Sequence, residues 1–537
     1  MKKWLARRYL PWLLTGITTL LLLGLPHLAA GWRWLGLVSL LLFALGLLDL
    51  WQPTHAVRRN YPILGNLRFI LEYIRPEIRQ YFVEDDITPT PFSRTMRAIV
   101  YQRAKHQTDK RPFGTRMDVY APGYEWLNHA MVPGAPQATD CRITVGPGRK
   151  QPVSLSLLNI SAMSFGALSG NAIQALNLGA KLGHFAHDTG EGSVSSHHLK
   201  HGGDLIWNIG SGYFGCRTPE GRFSLDHFRA VAQHPQVRMI EIKLSQGAKP
   251  GHGGVLPASK VTPEIAQARG VPLGQDCVSP AAHTAFGNPV ELLYWLEELS
   301  ACAGGKPVGL KLCLGHPWEW FALAKALQRT QIIPDFIVID GAEGGTGAAP
   351  LEFTDHVGMP LQEGLHLVHN TLRGLGLREQ IRLGASGKVI TAFDIVRTLA
   401  MGADWCNAAR GFMFALGCIQ AQNCHTGYCP TGITTQDPLR QRALVVADRA
   451  VRVQNYHQHT LHALRELTAA TGLSHPADID KHHLMRRTST GAVVSLAHIL
   501  PDLPEQALLH AADSSCADLP EPYRTYWHKA QPTQWSL

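Results

Sequence analysis

From about residue 150 onward, short β-type runs ending in glycine-, serine- or lysine-rich turns alternate with helical stretches. No other feature of the 537-residue chain constrains its fold as much. The runs are Val153–Leu158, Leu205–Ile209, Met239–Leu244, Val308–Leu314, Phe336–Asp340, Ile381–Gly384 and Trp405–Ala409. Helical patterns over Pro289–Ala301, Trp318–Gln328 and Ala392–Met401 separate several of them. A strand that returns through a helix pairs in parallel with the next, so the pattern predicts an α/β fold with a parallel sheet. Seven or eight such units over roughly 270 residues predict a (β/α)₈ barrel, whose chemistry sits at the C-terminal strand ends. A doubly wound sheet is the alternative.

The net charge of +9 is concentrated at the N-terminus, where residues 1–115 hold 16 Lys/Arg against 7 Asp/Glu. The remainder is balanced. A nucleic-acid protein carries its excess on a folded face, whereas this excess adjoins apolar segments and points to anionic lipid. Two such segments, about residues 9–30 and 32–51, approach the ~20 residues that cross a bilayer. Trp32, Trp34 and Trp51 stand where interfacial aromatics are expected. Lys2, Lys3, Arg7 and Arg8 precede the first segment, Arg58, Arg59 and Arg68 follow the second, and Arg33 alone lies between. The positive-inside rule then predicts a membrane hairpin with both ends, and the rest of the chain, in the cytoplasm. A cleaved signal peptide ending near Leu28-Ala29-Ala30 is the alternative.

Among the motifs, GSGYFG (Gly210 to Gly215) fits a dinucleotide fingerprint, but a proline and a glycine follow where the helix should begin. It reads as a turn. GAEGGTGAAP (341–350) and GASGKV (384–389) each end a strand and expose backbone N–H groups late in the pattern, where barrels bind phosphate. KLSQGAKPGHGGVLP (243–257) places Lys243, Gln246 and Lys249 in a glycine-rich loop suited to an anionic substrate. HDTGEGSVSSHH (187–198) offers Glu191 among small residues; His197 and His198 are adjacent, point apart, and read as non-ligands.

Ten cysteines in the whole chain suit a reducing compartment, yet Cys418, Cys424 and Cys429 fall within twelve positions as C-x₅-C-x₄-C, followed by Pro430. Three thiolates ending in Cys-Pro suggest iron–sulfur ligation, with a three-iron centre favoured by the lack of a fourth cysteine nearby. A Cys₃His zinc site using His425, or inert thiols, are the other readings.

Together, SAMSFGALS (161–169), TGEGS (189–193), GSGYFGCR, IKLSQGAKPGHGGVLP, KVTPEIAQAR (260–269), GAEGGTGAAP and CIQAQNCHTGYCPTGITTQ (418–436) resemble the FMN-binding domain of glutamate synthases over about residues 90–470. The arrangement is similar to the short FMN-binding glutamate synthase family proteins. The resemblance implies a barrel holding FMN and a [3Fe–4S] cluster on Cys418, Cys424 and Cys429. It implies an oxidoreductase acting on CH–NH₂ donors, which reduces 2-iminoglutarate, formed from 2-oxoglutarate and ammonia, to glutamate. Met163 and Ser164 would line the flavin, Lys311 would sit by its ring, and Gly344, Gly345, Gly347 and Gly387 would hold its phosphate. Glu191, Gln246, Lys249 and Arg269 would surround the oxo acid, with Lys249, Glu191 and Gln246 taking part in the chemistry.

Two departures stand out. The family loop reads K-P-G-E-G-G, where this chain has His252 in place of the acid. The chain also carries neither a glutaminase domain nor a pyridine-nucleotide domain. A separate electron donor (a ferredoxin or reductase) and a separate ammonia source are therefore expected. The expected layout is a membrane hairpin over 1–55, a basic helical segment over 56–115, the barrel with its cysteine loop over 116–475, and a C-terminal extension over 476–537.

Overall fold

The computed structural model describes residues 7–26, 29–87, 91–135, 140–509 and 519–537. The chain divides into two compact units, Met1–Thr88 and Pro89–Leu537. Lys2, Lys3 and the junction at Leu28 lie outside the described residues.

In the first unit, helix α1 (Leu10–Gly24) packs against α2 (Ala30–Trp51). Glycines allow the close approach: a Cβ on Gly16 would stand 2.8 Å from the Phe43 ring, and one on Gly46 would strike Trp12. Polar groups are satisfied between the helices, Trp12 Nε1 donating to Phe43 O (3.1 Å) and Ser39 Oγ to Thr15 O (2.8 Å). Bilayer-embedded helices require this, because hydrocarbon offers no hydrogen-bond partner. At 1.5 Å per residue α2 is about 33 Å long and can span a bilayer, whereas α1 is only about 22 Å long. The expected first span over 9–30 is thus shorter in the structure. It stops ahead of Leu25-Pro26, because proline disfavours helix in the residue before it. Among the described residues one helix, α2, is long and apolar enough to cross a membrane.

Asp49, buried near the end of α2, accepts from the Ile63 N–H (2.9 Å) and Asn66 Nδ2 (2.6 Å). These bonds tie down helix α3 (Leu64–Ile78), whose exposed Leu64, Leu67, Leu71, Ile74 and Ile78 recur at helical spacing.

The second unit is built on a closed barrel of eight parallel strands. They are β1 (Leu158–Ile160), β2 (His187–Asp188), β3 (Leu205–Ile209), β4 (Val237–Lys243), β5 (Val308–Leu312), β6 (Phe336–Asp340), β7 (Arg382–Ser386) and β8 (Trp405–Ala408). The doubly wound alternative is excluded by closure, β8 pairing with β1 through Cys406 and Leu158. Two strand expectations are corrected. Val153–Leu158 is not one strand: Val153–Ser156 pairs antiparallel with Arg142–Val145 as a hairpin, and the barrel begins at Leu158. β2 was not expected at all, its two residues being titratable and without an apolar run.

Residues alternate along each strand, and the two sets separate cleanly. Leu158, Ile160, Trp207, Ile209, Ile240, Ile242, Leu310, Ile337, Ile339, Leu383 and Cys406 join the large core beneath the helices. The opposite set forms a second apolar cluster, in which Ala186, Ile206, Met239, Phe336, Val338 and Trp405 pack on Val145, Val153 and Leu155 of the hairpin. This cluster closes the lower end of the barrel. Two residues further along the same strands, the same face carries Asp188, Asn208, Glu241, Asp340 and Asn407. A polar layer therefore overlies an apolar plug and leads to the mouth.

Helix Arg94–Ala104 belongs to this second unit, with Val100 and Ala104 in its core. So does the C-terminal stretch: Leu484–Arg487 pairs with both Glu125–Leu127 and Val493–Ser495, and Trp527 packs on Phe321.

Candidate active site at the barrel mouth

The loop after β2 carries Glu191, whose Oε2 accepts from Lys243 Nζ at 2.5 Å at the end of β4. Lys243 also donates to Gln246 Oε1 (3.1 Å). Lys249 donates to Gly253 O (2.9 Å), and a Cβ on Gly254 would lie 3.0 Å from Glu191 Oε1 and 3.6 Å from Lys249 Nζ. Arg269 donates to Phe165 O (3.0 Å) and lies 5.1 Å from the centre of the Phe214 ring. Gly192 fits between Ser164 and Arg269, and Gly190 (φ 63°) lies against the backbone of Met163 and Ser164, 2.6 Å from Cβ to the Ser164 nitrogen. The expected substrate residues Glu191, Gln246, Lys249 and Arg269 thus converge on one side of the mouth. The direct partner of Glu191 is Lys243.

Burial raises the pKa of Glu191, but Lys243 first, then Lys249 and Arg269, outweigh it and hold the carboxyl at about 2. Lys249 is shifted downward by burial, opposed by Glu191. An amine whose proton affinity is lowered by burial is suited to give up a proton.

Lys311 projects into the polar layer of the barrel, 3.8 Å from Asp340 Oδ2 and 4.0 Å from Glu241 Oε1. Its burial favours the neutral amine, yet the surrounding carboxyls overcome this and keep it charged.

The glycine motifs divide between two surroundings. GASGK closes β7, and Gly387 lies 3.0 Å, measured from its Cβ position, from Glu343 Oε1 and from Leu361. Gly344 packs on Ala248, Gly345 on the guanidinium of Arg410, and Gly347 on Cys424 and His425 at 3.0–3.1 Å. The loop after β6 therefore abuts both the phosphate-type turn and the cysteine loop.

Sequence reasoning missed Arg410, the first residue after the turn that ends β8, and gave no role to Lys388 within GASGK. Arg410 donates to Glu343 O (3.1 Å), and its guanidinium stacks 4.8 Å above Phe92, with Lys388 Nζ 5.9 Å from the same ring. Neither cation forms an ion pair among the described residues. Two cations without a close ion pair, at the ends of β7 and β8 and with Glu343 and Asp340 acting only at longer range, make a place for a dianion. The signal was present as a Lys and an Arg each ending one of the last two strands.

The three cysteines line one pocket with Met413, Ile419, Ile433 and Thr434. Gly417 (φ 103°) ends the helix Arg410–Leu416 and turns the chain into this loop. The Gln420 N–H points at Cys418 Sγ (3.4 Å), and Thr431 Oγ1 lies 3.4 Å from Cys429 Sγ. Burial raises Cys429, but hydrogen bonds from Thr431 and Thr434 outweigh it and bring it down to about 7. Burial pushes Cys418 up to about 12. Among the described residues no three His, Cys, Asp or Glu side chains are grouped for a single metal ion. Three thiols around one pocket, with donors aimed at sulfur, fit a multi-iron centre better than a Cys₃His zinc site.

His197 contacts Gln174 and Glu264, whereas His198 contacts Ser195, so the two adjacent rings diverge. GSGYFG is a turn, with the Tyr213 N–H bonded to Gly210 O (2.9 Å), and the next helix starts only at Leu225.

The family model described as the conserved region in glutamate synthase matches residues 142–474. A glutamate synthase large subunit-like protein of Bacillus subtilis is 37% identical over 493 residues, covering 84% of this chain and 93% of that protein. An archaeal-type glutamate synthase [NADPH] of Thermotoga neapolitana is 34% identical, covering 58% of this chain and 59% of its own length. The chain thus spans about three fifths of such enzymes. A flavocytochrome b2 structure is 12% identical with a TM-score of 0.43, covering 82% of this chain and 90% of that one, and adds nothing to the barrel described above. The chain belongs to the glutamate synthase family, as an oxidoreductase built on the barrel that carries its conserved region.

Proposed function

We propose that the mouth binds FMN and the cysteine loop a [3Fe–4S] cluster, and that the enzyme reduces 2-iminoglutarate, formed from 2-oxoglutarate and ammonia, to glutamate. The observation that carries this reading is the juxtaposition of two cationic sites at one barrel mouth. Lys388 and Arg410 stand at β7 and β8 without an ion pair among the described residues, Glu343 and Asp340 lying farther off. Lys243, Lys249 and Arg269 gather around the single carboxylate of Glu191.

Lys388, Arg410 and the Gly387 turn would hold the flavin phosphate, Met163 and Ser164 its ring, and Lys311 would oppose the charge that reduction brings. Gly344, Gly345 and Gly347 would act by letting this loop pass close to both cofactors. FMN supplies the hydride and the cluster passes single electrons. Arg269 and Lys249 pair with the substrate carboxylates, since guanidinium and ammonium bind them through charge-assisted hydrogen bonds. Glu191 holds Lys243 in place, Gln246 orients the same amine, and Lys249 can give a proton to the imine nitrogen.

Electrons would come from a ferredoxin or reductase. The N-terminal helices would anchor the enzyme to the membrane with the barrel in the cytoplasm, supported by the length of α2 and the flanking arginines. A second reading keeps the cofactors and changes the amine or oxo acid, or makes the chain an electron relay. His252 favours an altered nitrogen donor: it sits edge-on to Phe353 (5.0 Å), with Nδ1 2.6 Å from Gly253 O, where the family has an acid. The test is anaerobic: photoreduced protein mixed with 2-oxoglutarate and ammonium should reoxidise its flavin and yield stoichiometric glutamate. A flavin that stays reduced, with both chromophores intact, would leave the cofactors and remove this substrate.

A further inference from the structure

The polar layer beneath the mouth contains more acid than it can hold ionised. Asp188 from β2, Glu241 from β4 and Asp340 from β6 surround a single ammonium, Lys311 from β5. Asp188 and Glu241 are wholly buried, and Lys311 nearly so. Asp340 is fully engaged, accepting from Ser386 Oγ (2.7 Å) and the Gly247 N–H (3.0 Å). One oxygen of each remaining acid is likewise satisfied: Asp188 Oδ1 by the Gly190 N–H (2.9 Å) and Glu241 Oε1 by Asn208 Nδ2 (2.5 Å). Asp188 Oδ2 and Glu241 Oε2 have no donor, although the two carboxyls stand at hydrogen-bonding distance from each other. Lys311 Nζ is too far from Glu241, at 4.0 Å, to serve as that donor.

Two ionised carboxylates cannot bond to each other, and burying both unpaired would be costly. A single proton between them satisfies both orphan oxygens at once and removes one of the two uncompensated negative charges of the layer. Burial, and then each acid's effect on the other, raises the proton affinity of Glu241, and burial does the same for Asp188.

We propose that Asp188 and Glu241 share one proton and take up a second when the flavin is reduced, acting through Lys311. Resting on the FMN reading above, this makes Glu241 and Asp188 positioning residues for the reduction. Two electrons from a low-potential donor enter the flavin with one proton, leaving it negatively charged opposite Lys311. That charge draws on the Lys311 field which had stabilised the ionised member of the pair, so the pair binds a further proton from solvent. Linkage is reciprocal, so the protonated pair in turn favours the reduced flavin. The groups facing the pair are Lys311, Asp340 and Asn208, together with the Gly190 amide.

The test uses the full chain in detergent with FMN bound. The pH dependence of the flavin midpoint potential should correspond to two protons per two electrons in the wild type across neutral pH. In the double variant Asp188→Asn/Glu241→Gln the slope should fall to half of that, because two amides can hold the hydrogen bond but neither titrates, whereas each single amide leaves one carboxylate to take up the proton. An infrared difference spectrum between oxidised and photoreduced protein should show a protonated-carboxyl band that shifts in D₂O and is lost in the double variant. An equal slope in the wild type and the double variant, or a band unchanged in the double variant, would overturn the proposal. If the purified chain binds no FMN, the reading beneath it fails instead. A pH-induced infrared spectrum of the flavin-free protein, compared with Glu241→Gln, then still decides whether the pair shares a proton.

Discussion

The two cationic sites at the barrel mouth differ in how the protein balances them. On the β2–β4 side, Lys243 is locked to Glu191 at 2.5 Å, and Lys249 and Arg269 lie within the field of the same carboxylate. On the β7–β8 side, Lys388 and Arg410 form no ion pair among the described residues and rest on a carbonyl and an aromatic face, with Glu343 acting on both, and Asp340 on Arg410, only at longer range. An internally compensated site stays folded when empty and can exchange one anion for another as substrate enters and product leaves. A pair of cations without a close counter-ion leaves room for a resident anion. The contrast is the one expected between a turnover site and a cofactor site.

The largest effect that would break this contrast comes from the β7–β8 side. Arg410→Ala should weaken FMN binding ~100-fold or more, on the order of 3 kcal/mol, while Arg410→Lys recovers part of it; flavin fluorescence titration reads both. Unchanged FMN affinity would make Arg410 structural. Arg269→Ala should raise the KM for the oxo acid by about 2–3 kcal/mol in equivalent binding energy, leaving flavin content as in the wild type. Cys424→Ser should remove iron and leave flavin bound, checked by metal analysis beside the visible spectrum.

The compensated side predicts a pH signature. Glu191 is held below its ordinary value, at about 2, so its stabilising ion pair is fully present above the unfolded value near 4.5 and fades as pH falls toward 2. Glu191→Gln should lower stability by about 1–3 kcal/mol at neutral pH, and the gap to wild type should close on acidification in denaturant melts. The smallest effect is expected at exposed His252. His252→Glu should change stability by less than about 0.5 kcal/mol, and any change in the ammonium KM would place this loop on the path of the nitrogen donor.

The barrel was legible because most of its strands are long apolar runs closed by glycine. β2 escaped because both of its residues face buried surroundings as polar groups: His187 lies under the helices and Asp188 in the central layer, so no apolar period marks them. The junction at Leu157 was read through because an apolar run does not record the change from antiparallel hairpin to parallel barrel. Cysteine spacing made the cysteine loop visible, since three thiols gathered on one pocket must recur at short intervals along one segment. Arg410 gave no comparable pattern. Its setting, stacked on Phe92 with no close ion pair, is revealed only by the folded chain. Helix α1 was overestimated because hydropathy continues past Gly24, while backbone geometry at Leu25-Pro26 does not.

The most direct measurement is the flavin and metal content of the full-length protein purified without oxygen. One FMN and about three irons per chain are predicted, with no zinc. A colourless protein, or one carrying zinc at the cysteine loop, would contradict the account.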